Sequence, residues 1–561
     1  MFISSLHLFV FGSYLHSMDS SFFDRGGFRS VSLFDVFKQT FVTNLRGFYG
    51  IDYRAIGVFR ILTGLLVVTY FVHVVLNFSF YRLGVPTTPG ISGVVPFSII
   101  VVTALIFGLL YLIGYYARFA AGVMTVLLSL FFIHIDLGFA TSAYYLMNFL
   151  FLLAVFLPVS NRYGVLSHSI SQDVCSTESS SNLAFKLSGF LLSVQLAIIY
   201  FSNYLSKSGS TWEKGTALHN VLSTSLSTNI IGRVSLQILE PIGMLPILSK
   251  LWFVLIFTFP VVLFTSRWLR VGLVGLYIGG HSVILTHTTI IVFPIGNISA
   301  LFLLLPSTFF DKIEQTSLFT IIHQHISYSM PSLSVVFGFY SLFNQYSVKS
   351  QVPRMNRVLN FLSAVFVLSV IIILLIGGVY YHSSDVGVDT RDVPVLSNPS
   401  LENAIYDIDD YGYGFSWGVY SNPRVGDAWS LTKGKLVNGA VVDAYYGGGA
   451  SFAPVERDTR FNGDPYLGYF NRLKTDPGRS NSGSRDYSVL HQPYATYICN
   501  EWNSNHPSSQ RLESIEYYTI TDTDPSYDDP YPFILGRHDV NEYRSQLSSQ
   551  YQISYVFGAE C

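Results

Sequence analysis

The sequence predicts an all-α polytopic membrane domain of about nine transmembrane helices, followed by an extracytoplasmic domain that is β-rich or α+β. Three observations predict it. Half of the 561 residues are hydrophobic and only 12% are charged, against roughly 25% in ordinary soluble domains. Several apolar runs reach the roughly 20 residues that cross a bilayer. Beyond residue 384 those runs give way to a chain rich in Gly, Tyr, Asp, Asn and Pro. The expected division is an N-terminal segment over 1–50, a transmembrane domain over 51–384 and an acidic C-terminal domain over 385–561.

Met1 to Tyr14 is apolar but short, with no basic residue before it, and makes a poor secretory signal. Met18, which opens the polar run MDSSFFDRGG, is a second candidate start. Residues 32–46 place apolar side chains at helical spacing with Lys38 and Arg46 opposite, which predicts an amphipathic helix on the inner membrane surface. Spans are expected over 56–77, 94–116, 118–134, 143–160, 184–206, 250–265, 268–286, 288–306 and 360–381. Residues 228–249 carry Arg233, Glu240 and two prolines, and read as a re-entrant or interfacial helix. Charge placement favours nine spans. With the N-terminus inside, the inner loops hold Arg118, Arg162, Arg267, Arg270, Lys312, Lys349, Arg354 and Arg357. The outer loops hold few basic residues besides Arg82, Lys207 and Lys214. The protein is then expected in the cell membrane, multi-pass, with its C-terminal domain outside.

In that last domain, KLVNGAVVDAYY and LESIEYYTIT alternate like strands, with turns at Asn438-Gly439 and Asn462-Gly463. From Asp385 onward there are 24 acidic against 13 basic residues, which argues against a nucleic-acid partner and suits a soluble surface or a basic partner. The three cysteines, Cys175, Cys499 and Cys561, show no metal-binding spacing. Cys499 and Cys561 could pair if the domain lies outside the cytosol.

Ionisable groups within apolar spans are the best pointers to function, because burying them costs several kcal/mol unless they are paired or hydrated. Here they are Arg60, His73, His134, Asp136, Lys207, Glu240, His281 and His287. Arg60 is expected to snorkel to the inner interface, and His134 and Asp136 to sit in hydrated positions at the outer face. The stretch YFSNYLSKSGSTWEKG, from Tyr200 to Gly215, puts Ser202, Asn203, Ser206 and Lys207 on one helical face. Lys207 and His281 come out at similar depth in the outer half, with Asn297 nearby. A lysine in an apolar pocket gives up its proton readily and can act as a base, with a histidine to orient an oxygen or exchange a proton. The structural alternative is an interfacial lysine beside Trp212 and a hydrogen-bonded core histidine.

The stretches IDYRAIGVFRILTGLLVV and FYRLGVPTTPG resemble the opening of the horizontally transferred transmembrane (HTTM) domain, whose family includes the vitamin K-dependent gamma-carboxylases. The family's Q…Y segment, lysine and W-x-x-G fall on Gln195, Tyr200, Lys207, Trp212 and Gly215, and its histidine and F-P pair on His281, Phe293 and Pro294. WGVYSNPRVGDAW and KLVNGAVVD are similar to the pattern that follows the last span in relatives. The resemblance runs from about Ile51 to Asp443. It implies catalytic roles for Lys207 and His281, a substrate site including Gln195, Tyr200 and Trp212, to which the polar helical face adds Asn203 and the shared depth adds Asn297, and reduced vitamin K or another quinol as cofactor. In the carboxylases a deprotonated lysine initiates oxygenation of the quinol. The strong base so formed takes a proton from a glutamate side chain, and carbon dioxide adds to the carbanion. The implied activity is thus carboxylase-like, of the carbon–carbon lyase or quinol epoxidase type. This chain departs at two points: Thr141, Ser142 and Ala143 stand where relatives carry a further histidine, and Ser206-Lys207 replaces a double lysine. Other members of the wider family act with a secreted toxin peptide, as in sporulation-delaying systems. That implies a second, non-enzymatic reading in which the acidic domain docks a secreted peptide or protein for maturation or export.

Overall fold

The computed structural model describes residues 51–84, 96–139, 142–157, 159, 183–207, 210–223, 228–263, 265, 267–315, 428–452, 473, 488–522 and 551–561. Every one of these belongs to a single compact unit, Ile51–Cys561. It is mostly helical, with a small sheet near the C-terminus.

Helix α1 (Tyr53–Leu76) begins at Asp52, whose carboxylate accepts from the Arg54 amide and satisfies an otherwise orphaned donor. The Arg54 guanidinium then reaches Asp52, Asp311 and Glu314, tying the start of α1 to a helix far along the chain. Helix α2 (Phe97–Ile113) stops at Gly114, whose positive φ supplies a left-handed cap. It lies close against α1 because Gly64 has no side chain: a Cβ there would come within 2.8 Å of the Leu112 backbone. Helices α3 (Ala117–Phe139) and α4 (Ser142–Phe156) complete this half.

Helix α5 (Leu183–Ser206) carries the polar-faced stretch. Three short helices follow: α6 (Ser210–Lys214), α7 (Ala217–Ser223) and α8 (Ile230–Leu239). Then come α9 (Met244–Val262), α10 (Arg267–His287) and α11 (Val292–Phe302), which bends by 95° into α12 (Ser307–Glu314). Helix α11 bridges the two halves, packing against α1, α4 and α10.

Among the described residues three helices are long and apolar enough to cross a membrane: Tyr53–Leu76, Met244–Val262 and Trp268–His287. The bent pair α11 and α12 adds a fourth if taken as one span, while α2, α3 and α4 present shorter apolar stretches. On α9, the apolar residues Ile247, Leu251, Val254, Phe257 and Val261 recur every three or four positions and are exposed, a face suited to lipid.

Several expectations shift. The sixth expected span starts at Met244 rather than 250, so residues 228–249 divide between α8, a turn and the first turns of α9. Helix α8 leaves Ile230, Ile231, Val234 and Ile238 exposed, consistent with an interfacial element. The eighth expected span is shortened at both ends, because Thr288 is engaged in a bridge to Thr228 and Leu303 precedes the bend. Arg60 does not snorkel. It is fully buried and donates to the Val159 carbonyl at 2.9 Å, while Arg118 donates to the Leu157 carbonyl, so two guanidinium groups serve the carbonyl end of α4. His134 is not at a hydrated end either. Helix α3 continues past it to Phe139, and His134 is 1% exposed with Nδ1 against the Leu130 carbonyl. The helix expected at 32–46, the span at 360–381, the turn at Asn462-Gly463 and Cys175 lie outside the described residues.

The sheet is antiparallel, in the order β2-β1-β3-β4, with β1 Ala428–Leu436, β2 Val441–Asp443, β3 Leu512–Asp522 and β4 Tyr551–Glu560. The Asn438-Gly439 turn joins β1 to β2, with Gly439 at φ +85° and the Asn438 side chain accepting from the Ala440 amide. Helix α13 (His491–Asn505) packs on β3 and β4, an α+β arrangement. A disulfide joins Cys499 of α13 to Cys561 at the end of β4. The same helix meets the turn after α1, where Tyr497 and Phe80 have ring centroids 5.7 Å apart. Helix α13 and the sheet residues Leu436, Leu512, Ile515 and Tyr517 therefore share one core with the helices, while Trp429, Leu431, Phe452 and Ile520 form a separate small cluster.

Asp443 is 2% exposed at the end of β2. Its Oδ1 accepts from the Tyr445 and Tyr446 amides, while Oδ2 is buried without a partner. Burial raises this carboxyl from 3.8 to about 6, with the two amide donors pulling it back. A folded-state value above the unfolded one means that the protonated form favours the fold. That contribution is full below about pH 4 and is lost as pH rises through about 6, a swing of about 3 kcal/mol. Asp443→Asn should flatten the dependence, raising stability at pH 7.5 by up to about 3 kcal/mol while changing it little at pH 4. Urea denaturation followed through the buried Trp429 tests this; an unchanged difference between the two pH values contradicts it.

Candidate functional site

A cavity of about 100 Å³ opens among α5, α6, α7, α9, α10 and α11. Its polar lining is Tyr200, Asn203, Lys207, Trp212, Ser249, His281, Thr288 and Asn297, and Ile199, Leu218, Val221, Leu248, Trp252, Ile256, Ile284 and Phe293 form the apolar remainder. Six of the seven residues singled out in the sequence thus meet around one space. Gln195 does not line it; it is buried one to two turns further back along α5.

Local structure explains how Lys207 comes to be enclosed. Helix α5 ends at Ser206, and the chain turns into α6, which is closed by Gly215 at φ +76°. Only glycine takes that conformation without strain, and a Cβ there would also press on Pro246, 3.2 Å away. The W-x-x-G pattern therefore has a physical reading: Gly215 makes the turn by donating to the Trp212 carbonyl, and Trp212 is folded back over the lysine. Lys207 Nζ lies 4.4 Å from the centroid of the Trp212 ring, and the residue is 4% exposed. Lying beyond the end of α5, its amine is lowered by burial from 10.5 to about 7.

The second polar group is a phenol–imidazole pair. The Tyr200 ring stacks on Phe259 of α9 at 4.0 Å, and its Oη meets His281 Nε2 at 2.6 Å. His281 is 2% exposed and is walled by the rings of Tyr200, Trp252 and Phe293 at centroid distances of 5.9, 5.8 and 5.6 Å. Asn297, fully buried, donates through Nδ2 to the Phe293 carbonyl. The His281 Nδ1 and Asn297 Oδ1 atoms are buried and meet no hydrogen-bond partner among the described residues.

Sequence reasoning missed Trp252, Ser249 and Thr288. An aromatic ring within an apolar span carries no signal of its own. The usable clue was Gly280, next to His281: a Cβ at that position would sit 2.1 Å from the Trp252 ring, so this glycine seats the indole against α10. Thr288 and Asn229 hold the end of α10 to the start of α8, with Asn229 Nδ2 donating to the Thr286 and Thr288 carbonyls.

No family model, no curated protein and no solved structure matches the chain. The arrangement is therefore judged on its own chemistry. It offers an amine of reduced proton affinity, a phenol–imidazole pair and orphaned polar atoms, all in an apolar enclosure. Such a set can hold a small hydroxylic head and draw a proton from it. Among the described residues no three His, Cys, Asp or Glu side chains are grouped to hold a metal ion.

Gly280→Ala should force Trp252 from its seat, cost about 1–3 kcal/mol through overpacking and shift indole emission. Gly279→Ala, with nothing within 4 Å of its Cβ position, should be neutral or slightly stabilising. Thermal unfolding and fluorescence of the two variants check the contrast, and similar behaviour of both would refute the seating role.

Proposed function

We propose that the chain is an integral membrane protein of the HTTM type, acting on a quinol-like lipid at the outer membrane face, with Lys207 as the base. The observation that carries this reading is the convergence of Lys207 and His281, from separate helices, on one cavity with Tyr200, Asn203, Trp212 and Asn297. The reading includes nine spans and a C-terminal domain outside. Two contacts support that placement. Tyr497 of α13 packs on Phe80 just beyond α1, which puts the described C-terminal elements on the side where α1 ends. The bond between Cys499 and Cys561 is of a kind that persists outside the cytosol.

The donor set fits a hydroxylic head such as that of reduced vitamin K or another quinol, because His281 Nδ1 and Asn297 Oδ1 are buried polar atoms awaiting partners. When bound, a quinol would supply reducing electrons for oxygenation. The protein's part is positional and acid–base. Lys207, uncharged for a substantial fraction of the time near neutral pH, accepts the proton of the quinol's other hydroxyl, the first being held between His281 and Asn297. Trp212 covers the resulting ammonium with its ring face, and the aromatic walls around His281 keep water out. Carboxylation of a glutamate side chain is the finer form of this activity, and oxygenation without carboxylation is the form that needs fewer residues.

Protein in liposomes, supplied with menadiol and oxygen, should consume oxygen faster than empty liposomes. Lys207→Ala should lower that rate by about 100-fold or more. The rate should rise with pH through about 7, as the amine deprotonates. Equal rates for both proteins would move the account to the non-enzymatic reading, in which the acidic C-terminal domain docks a secreted peptide.

A further inference from the structure

The buried hydrogen-bonding atoms of the cavity specify more than a polar ligand. The Tyr200 hydroxyl has a single proton, and among the described residues the one partner of its Oη is His281 Nε2. If the phenol accepted from Nε2, its own O–H and the Nδ1 lone pair would both be buried unmet. If it donates, only Nδ1 is left, so donation to Nε2 is the arrangement that strands fewer groups. A neutral imidazole that accepts at Nε2 carries its proton on Nδ1, so the orphaned Nδ1 is a donor. The Asn297 amide is fixed in a complementary way. Its Nδ2 donates to the Phe293 carbonyl at 2.9 Å, and turning the amide over would set oxygen against oxygen. The orphaned Asn297 Oδ1 is therefore an acceptor. Both residues line the same cavity, from the neighbouring helices α10 and α11.

We infer that Tyr200 is a positioning residue that locks His281 as the Nδ1–H tautomer, so that the cavity pairs one buried donor with one buried acceptor and selects a hydroxyl-bearing ring over the corresponding ether or ketone. A hydroxyl both donates and accepts. An ether or a ketone can only accept, and would leave Asn297 Oδ1 buried and unsatisfied. That atom is already unmet before binding, so the margin is the hydrogen bond that a hydroxyl gains there and the analogues forgo. The selection of a hydroxyl over a carbonyl is what a site for a reduced rather than an oxidised ring requires, and to that extent the inference deepens the reading given above. The tautomer itself stands independently of it.

The test uses full-length protein in lipid nanodiscs. With ¹⁵N-labelled histidine, and the His281 signal assigned by its loss in His281→Gln, solid-state NMR should show a protonated Nδ1 and an unprotonated Nε2. Tyr200→Phe should convert this to a mixture of tautomers. An Nε2–H tautomer in the wild-type protein overturns the inference. Binding of 1-naphthol, 1-methoxynaphthalene and 1-tetralone, read through quenching of Trp212 and Trp252, supplies the second arm and needs no variant. Naphthol should bind about tenfold more tightly than either analogue. Asn297→Leu should erase most of that margin. Equal affinities, or no binding by any of the three, would reject the selection while leaving Lys207-dependent oxygen consumption to stand or fall on its own. A clear preference for naphthol with oxygen consumption independent of Lys207 would uphold the selection and reject the oxidase reading.

Discussion

Taking a cation out of water is the constraint on which the rest of this structure depends. The penalty for an isolated buried charge amounts to several kcal/mol, so the surroundings must either stabilise the charge or let the group lose its proton. Both solutions occur in the chain. Arg60, fully buried in α1, stays bonded to the Val159 carbonyl just past α4, where the dipole of that helix favours positive charge. An arginine cannot readily deprotonate, so the structure must provide an acceptor. Lys207 has the other option. It is enclosed by α6 and by the apolar wall of the cavity, with the Trp212 indole face against its amine, and burial lowers its proton affinity.

The cavity follows from that enclosure. Gly215 turns α6 back over the lysine, Gly280 seats Trp252 against α10, and the stack of Tyr200 on Phe259 aims a phenol at His281. Each arrangement fixes a polar group with apolar ones, so that little of the polar geometry is left to solvent. The result is a set of groups each held by its own surroundings: an amine lowered by burial, an imidazole whose tautomer is set by a phenol, and an amide whose orientation is set by its own helix. The C-terminal elements are joined to the same core through Tyr497 and Phe80, at the end of α1.

Much of the site was legible in the sequence because its residues are costly in apolar surroundings and stand out there. Lys207, His281, Asn203 and Asn297 were visible for that reason, and Tyr200 and Trp212 through their spacing from the lysine. Gln195 was carried along by the same pattern, yet it lies a turn short of the cavity along α5, since a linear motif does not say how far along a helix a cavity extends. In the sequence Arg60 looks like a snorkelling residue because its partner, the Val159 carbonyl, lies 99 residues away and a carbonyl has no sequence signature. His134 was placed at a helix end because apolar periodicity fades there, although α3 continues for another turn. Trp252 and the 95° bend after α11 arise from packing between distant segments, to which local patterns are blind. In the C-terminal region the Asn-Gly turn and the alternating β3 were readable, because both signals are local.

The central claim is that Lys207 is an amine poised near neutrality within this cavity. Competitive labelling of the native protein in membranes with a trace of acetic anhydride, across pH 5 to 10 and with Lys214 as the exposed internal reference, measures it directly by mass spectrometry. The account predicts that Lys207 modification, normalised to that of Lys214, rises through a midpoint of about 7. A Lys207 midpoint above 10 would contradict the account.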